Sequence, residues 1–169
     1  TIYQVSALQG FARAINTSLQ HVKPHGALYN MAAKDEKLSR AIVGAVQALN
    51  SNPIIFARPN SVLAEVADKN GLRVAYEFFA DRAYNPDGSL VSRKQPNAII
   101  QEPKKVLERV VKVVKDGTVL AASGEVVDLG EVQTICVHGD TPTAVQLAKA
   151  LKKGLVRAGF EVKPVGSFI

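Results

Sequence analysis

The chain has 169 residues, 47% of them apolar and 21% charged, and its 21 Lys and Arg against 15 Asp and Glu leave a net charge of +6. That length and apolar content suit a single globular domain over residues 1–169, and charges break every apolar run before it could cross a membrane. The basic residues are interleaved with acids and form no stripe with aromatics between, which argues against nucleic acid as a partner.

Cys136 is the only cysteine, so no internal disulfide can form. Its neighbours Ile135 and Val137 predict a buried strand residue rather than a nucleophile. With no basic-then-apolar signal in the first residues, a cytoplasmic protein is expected.

The chain opens on a helical pattern, with Ile2, Val5, Leu8, Phe11, Ala12 and Ile15 on one face. No strand precedes it, which is unusual for a strand-then-helix repeat. Leu19 to Val22 reads as a short strand. Pro24 then removes a backbone donor and biases Lys23 toward an extended conformation, so the strand stops there. Gly26 permits a tight turn into a helix from Ala27 to about Leu49, with Asp35 as the cap of its second part. Lys23 and His25 are thereby left at a strand-to-helix turn, the end of a parallel sheet where ligands bind. The plain alternative is a surface Lys and a hydrogen-bonded loop His.

Asn50 to Pro53 ends that helix, and Pro53 to Phe56 predicts a second buried strand. Asn60 is the expected cap of a helix from Ser61, which Gly71 closes. A third strand, Leu72 to Tyr76, carries Glu77 at its end. The long connection that follows contains Asp81, Arg82, Tyr84, Asp87 and Arg93. Its aromatics and paired charges predict an ordered binding loop rather than a disordered one.

From Pro103, the spacing of Val106, Leu107, Val110, Val111 and Val114 predicts a helix ending at Asp116-Gly117. Thr118 to Leu120 and Glu125 to Leu129, around Ser123-Gly124, predict a hairpin or two short extended pieces. A strand at Thr134 to Val137 ends in His138-Gly139-Asp140. Thr141 is then the expected N-cap and Pro142 the first residue of a helix, whose apolar face holds Val145, Leu147, Ala148, Leu151 and Leu155. Gly159 stops it, and Glu161 to Val165 would add a final strand.

About four strand-then-helix units result, and three strand ends carry titratable or charged groups: Lys23 and His25; Glu77 with Asp81 and Arg82; His138 and Asp140. In a parallel sheet such ends would gather at one mouth. Taken singly, each has an ordinary reading: a surface pair, a cap, or a His bonded to the backbone.

At these residues the chain resembles the LamB/YcsF family, that of the A subunit of 5-oxoprolinase. The resemblance is carried in order by HVKPHGALYN at His21 to Asn30, EFFADRAYNPDGSLV at Glu77 to Val91 with Arg93 following, and CVHGDTP at Cys136 to Pro142. It implies an α/β fold, a parallel-stranded distorted (β/α) barrel of the glycoside hydrolase/deacetylase type. It also implies ATP-dependent opening of 5-oxoproline to glutamate together with two partner subunits. Members begin with a further stretch bearing an Asp-containing first strand and a His-containing segment, so the chain is expected to be incomplete at its N-terminus. Asn97 and Asn16-Thr17-Ser18 depart from the family, which has glycine at or near those positions.

A lactam is an unactivated amide, and opening it requires charge stabilisation at the carbonyl oxygen and an activated water. Phosphoryl transfer from ATP would meet the first need. Lys23, Arg82 and Arg93, with Glu77 and Tyr84, are the candidates for holding phosphate or substrate. His25, Asp81, His138 and Asp140 are the candidates for proton transfer. No Walker-type glycine loop is present. Two other classes stay open. One is a metal-dependent amidase or deacetylase using a divalent ion on His25, His138 and Asp140, although no compact metal motif is found. The other is a component without activity when isolated, whose open sheet edges would favour homo-oligomers or partner subunits.

Overall fold

The computed structural model describes residues 1–49, 52–140 and 143–169. They divide into two compact units, Thr1–Tyr76 with Val165–Ile169, and Glu77–Pro164.

The first unit contains α1 (Ile2–Ala14), β1 (His21–Val22), α2 (Ala27–Ala32), α3 (Glu36–Gln47), β2 (Ile54–Ala57), α4 (Val62–Lys69) and the start of β3 (Val74–Phe79). Strands β1 and β2 are parallel, with His21 opposite Ile54, and β2 and β3 are parallel, with Phe56 opposite Ala75. All of β2 is buried because both its faces are covered. Ile55 and Ala57 pack with Ile42, Val43 and Val46 of α3 and Leu63 and Ala67 of α4. Ile54 and Phe56 pack on the other side with Ala75, Val165 and Ile169. Full burial of each of the two isoleucines contributes about 1.5–3 kcal/mol.

Local signals set the helix starts. Asp35 caps α3 by accepting the Leu38 N–H at 2.9 Å, as its position predicts. For α4 the cap is Ser61, which accepts from Ala64 N–H. The expected cap Asn60 instead takes a left-handed φ of 56°, completing the turn before it. In α1 the apolar stripe is present but mostly uncovered: Ala12 is buried and Val5 packs on the core, while Leu8, Phe11 and Ile15 are exposed. Periodicity reports which residues share a face, and packing decides which edge of that face is covered.

The second unit contains the end of β3, α5 (Pro103–Asp116), β4 (Thr118–Leu120), β5 (Val126–Asp128), β6 (Thr134–Cys136) and α6 (Ala144–Arg157). Here β3 pairs in parallel with β6, Phe79 lying opposite Cys136, and β4 and β5 form an antiparallel hairpin, one of the two expected arrangements. Parallel strands with helices between them make this an α/β protein. Strand β3 runs three residues further than expected, so Glu77 lies inside it and is buried. Cys136 is half-buried rather than buried, as are the other residues of β6. Helix α6 begins after Thr143; the expected Thr141 cap and Pro142 lie outside the described residues, as do Asn50 and Ser51 of the expected helix end. The final strand expected at Glu161 to Val165 does not form. Residues 161–164 are exposed, and Pro164 offers no N–H to a ladder before a short 3-10 turn at Val165–Ser167.

The long connection after β3 is ordered. Isolated bridges pair Arg82 with Ile99 and Tyr84 with Leu90, around a small core of Ala83, Val91 and Ala98. Asn97 within it and Asn16 after α1 both have positive φ, 63° and 54°. Asparagine tolerates that region better than most other non-glycine residues.

Gly117 ends α5 at φ 69°, and a Cβ there would lie 2.8 Å from the Gly130 carbonyl oxygen. Gly117→Ala is therefore expected to lower stability by about 1–3 kcal/mol. Asn97→Gly, already in a glycine-like conformation, should leave stability unchanged or slightly raised. Equilibrium urea unfolding measures both.

Candidate functional site

The register of β3 against β6 builds the centre of the site in the second unit. Phe79 lies opposite Cys136, and Asp81 and His138 each follow two residues later. The Ala80 N–H donates to the Cys136 carbonyl at 3.0 Å, prolonging the ladder by one bond. The chain then turns, and the two side chains meet. Asp81 is only 3% exposed. Its carboxylate accepts the His138 Nδ1–H at 2.7 and 3.0 Å and the His138 backbone N–H at 3.2 Å. The His138 side chain is 14% exposed, and its ring stacks against Phe79 with centroids 5.6 Å apart.

Burial pushes the Asp81 carboxyl up, but the hydrogen bonds and charge of His138 outweigh it and hold the group below its ordinary value. An ionised carboxylate only accepts, so the proton of the shared bond sits on Nδ1. Nε2 is then the basic nitrogen of the neutral ring. This pairing can take a proton from water and return it, with Asp81 fixing the tautomer.

Other predicted site residues belong to the same unit. Arg82 is buried and donates to the Val91 carbonyl at 2.6 Å and the Ala98 carbonyl at 3.4 Å, clasping the long connection. Burial, then the nearby Arg93 charge, lowers its affinity for a proton. Tyr84 is buried, its ring stacked on Phe78, its hydroxyl accepting the Phe79 N–H at 2.9 Å. Arg93 and Asp140 are more exposed and form an ion pair at 2.9 Å. That hydrogen bond is the main reason the Asp140 carboxyl sits below its ordinary value. Asp140 is thus held ionised, suited to accepting rather than giving a proton. Glu77 is buried within β3.

Lys23 and His25 belong to the first unit, beyond the end of β1. Lys23 is half-buried, its ammonium 5.6 Å from the centre of the Tyr29 ring, and His25 is exposed before Gly26, whose φ is 61°. Among the described residues no three His, Cys, Asp or Glu side chains gather into a set that could hold a metal ion. Among them too, no helix is long and apolar enough to cross a membrane.

Sequence reasoning missed Arg109 of α5, which donates to the Ala80 carbonyl at 2.8 Å and the Arg82 carbonyl at 2.9 Å. A signal was present: Arg109 lies three residues after Val106 and beside Val110, at the edge of the buried face of α5.

Parallel strand pairing with a carboxylate-held histidine just past the ends of β3 and β6 defines an α/β protein with a polar, partly buried cluster at that end of the strands. The sequence pattern of the LamB/YcsF family matches residues 1–169, and the chain belongs to that family. It is 49% identical to the 5-oxoprolinase A subunit of Pyrococcus abyssi, covering 99% of this chain and 66% of that protein. Against the protein of the same name from Fusobacterium nucleatum, identity is 42%, covering 99% and 65%. The crystal structure of a lactam utilization protein from Thermus thermophilus superposes with a TM-score of 0.86 at 39% identity, covering 96% of this chain and 64% of that one. The chain thus spans just under two-thirds of the length of these relatives.

The depressed Asp81 carboxyl has a sign that can be tested. Its folded-state value lies below the 3.8 of an unperturbed Asp, so its contribution to stability is present above that pH and is lost as pH falls through the folded-state value. Between about pH 5 and pH 2 the wild-type chain should lose more stability than Asp81→Asn, which has no proton to gain. Thermal unfolding across that range measures the difference, and parallel curves would count against an ionised Asp81.

Proposed function

We propose that this chain supplies acid–base residues for the hydrolytic opening of a five-membered lactam, 5-oxoproline, to glutamate, with ATP as co-substrate and with partner subunits completing the enzyme. The observation that carries the reading is the Asp81–His138 pair, with Nδ1 held at 2.7 Å from a buried carboxylate. The names borne by the Pyrococcus and Thermus relatives supply the substrate class.

In this reading Nε2 of His138 takes a proton from the attacking water, and Asp81 stabilises the imidazolium that forms. Phosphoryl transfer from ATP to the lactam oxygen releases ADP and makes the carbonyl carbon susceptible to that water. The adduct expels the ring nitrogen, which takes up a proton, and a second water hydrolyses the resulting acyl phosphate to the carboxylate and inorganic phosphate. Arg93 is the exposed guanidinium of the second unit beside this pair, and its fork suits a phosphate or carboxylate group that would displace Asp140 from it. Arg82 is committed to main-chain carbonyls and shapes the loop instead. In the first unit, Lys23 offers a compact charge for phosphate or carboxylate and His25 a second proton carrier. The distorted (β/α) barrel of the glycoside hydrolase/deacetylase type belongs to the same reading, supported by the recurrence of parallel strand followed by helix. A cytoplasmic location fits an ATP-consuming reaction.

The test is ATP-dependent glutamate release by the complete protein assembled with its partner subunits. His138→Ala and Asp81→Asn should each reduce turnover at saturating lactam by about a hundredfold or more. Near-normal turnover in either variant would remove the pair from the chemistry. A second assay separates roles: Arg93→Ala should raise the KM for ATP or lactam more than it lowers kcat.

A further inference from the structure

An aspartate can fix a histidine tautomer only if its own backbone is fixed, and Asp81 sits where the strand ladder has just ended. The last ladder bond is the one from Ala80 N–H to Cys136. The carbonyls of Ala80 and Arg82, one on each side of Asp81, both accept from the same guanidinium. Arg109 Nη1 donates to Ala80 O at 2.8 Å and Nη2 to Arg82 O at 2.9 Å, while Ile100 N–H donates to the Asp81 carbonyl between them at 2.8 Å.

We propose that Arg109 is the positioning residue of the Asp81–His138 pair, a planar two-point brace across the turn that aims the Asp81 carboxylate at Nδ1. The inference rests on the acid–base reading above and deepens it.

Three features make the brace stiff. Helix α5 is anchored by Val106, Val110 and Val113, none of which is exposed, so the Cα of Arg109 is fixed by core packing. The guanidinium lies over the Phe78 ring at 5.5 Å, which limits its rotation about the side chain. Its two nitrogens diverge at a fixed angle, so they can hold two carbonyls on either side of the Asp, which the single point charge of a lysine cannot do. The guanidinium is also a cation close enough to Asp81 to favour its ionised, acceptor-only form.

A purely structural arginine would predict lower stability with an unchanged His138. The brace predicts that the imidazole itself changes. The variants are Arg109→Met, which keeps the apolar stem, and Arg109→Lys, which keeps stem and charge but not the fork. The tautomer of His138 is read from its ring ¹⁵N chemical shifts in the full-length protein, with far-UV circular dichroism reporting the fold. Turnover is read in the complete protein with its partner subunits.

The wild type should show a single Nδ1–H tautomer. Folded Arg109→Met and Arg109→Lys should show mixed tautomers, and kcat should fall by about tenfold or more with a smaller change in KM. If Arg109→Met does not fold, Arg109→Lys decides. A folded variant with wild-type His138 shifts overturns the brace. Altered shifts with unchanged turnover support the brace and overturn the acid–base role of the pair instead.

Discussion

The parallel register of β3 against β6 is the constraint on which the site depends. With Phe79 opposite Cys136, the two strands leave the ladder in step, and residues two positions further along each chain arrive at the same place. A slip of one residue in β6 would carry the imidazole to the other face of the pleat. The bond between Asp81 and His138 is thus a product of backbone geometry before it is a product of side-chain chemistry.

Burying charge at that place requires compensation, and the second unit supplies it from three directions. Asp81 is held by His138, Arg82 by carbonyls of the connection after β3, and Arg109 by carbonyls either side of Asp81. Charged groups removed from water are costly unless their hydrogen-bonding capacity is met, and here much of it is met by main chain. The same bonds give the long connection its order. Tyr84 adds to this by placing its hydroxyl on the Phe79 N–H. A segment with little regular secondary structure is thereby stiff where the proposed chemistry needs it to be.

The first unit is arranged differently. Its core is apolar on both sides of β2, and beyond β1 Lys23 is half-buried and His25 exposed.

Much of this was legible in the residues. Pro24, Asp35, Pro103, Gly117 and the alternation around Ser123-Gly124 act within a few residues of themselves, so they define turns, caps and the hairpin without help from distant chain. Asp81 and His138 were also legible, because a titratable group just past an apolar strand stands out locally. Their convergence could be expected from the strand ends, but the bond between them could not, since 57 residues separate them and only the register of β3 against β6 sets that contact. Nor was the part played by Arg109, which reads in sequence as one more charge on an amphipathic helix, or the exposure of Phe11, which reads as core. Local chemistry determined where the elements begin and end and which residues could do chemistry. Tertiary packing decided which of those residues touch, because contact depends on register and on which edge of each face is covered, and neither is written in any one stretch of chain.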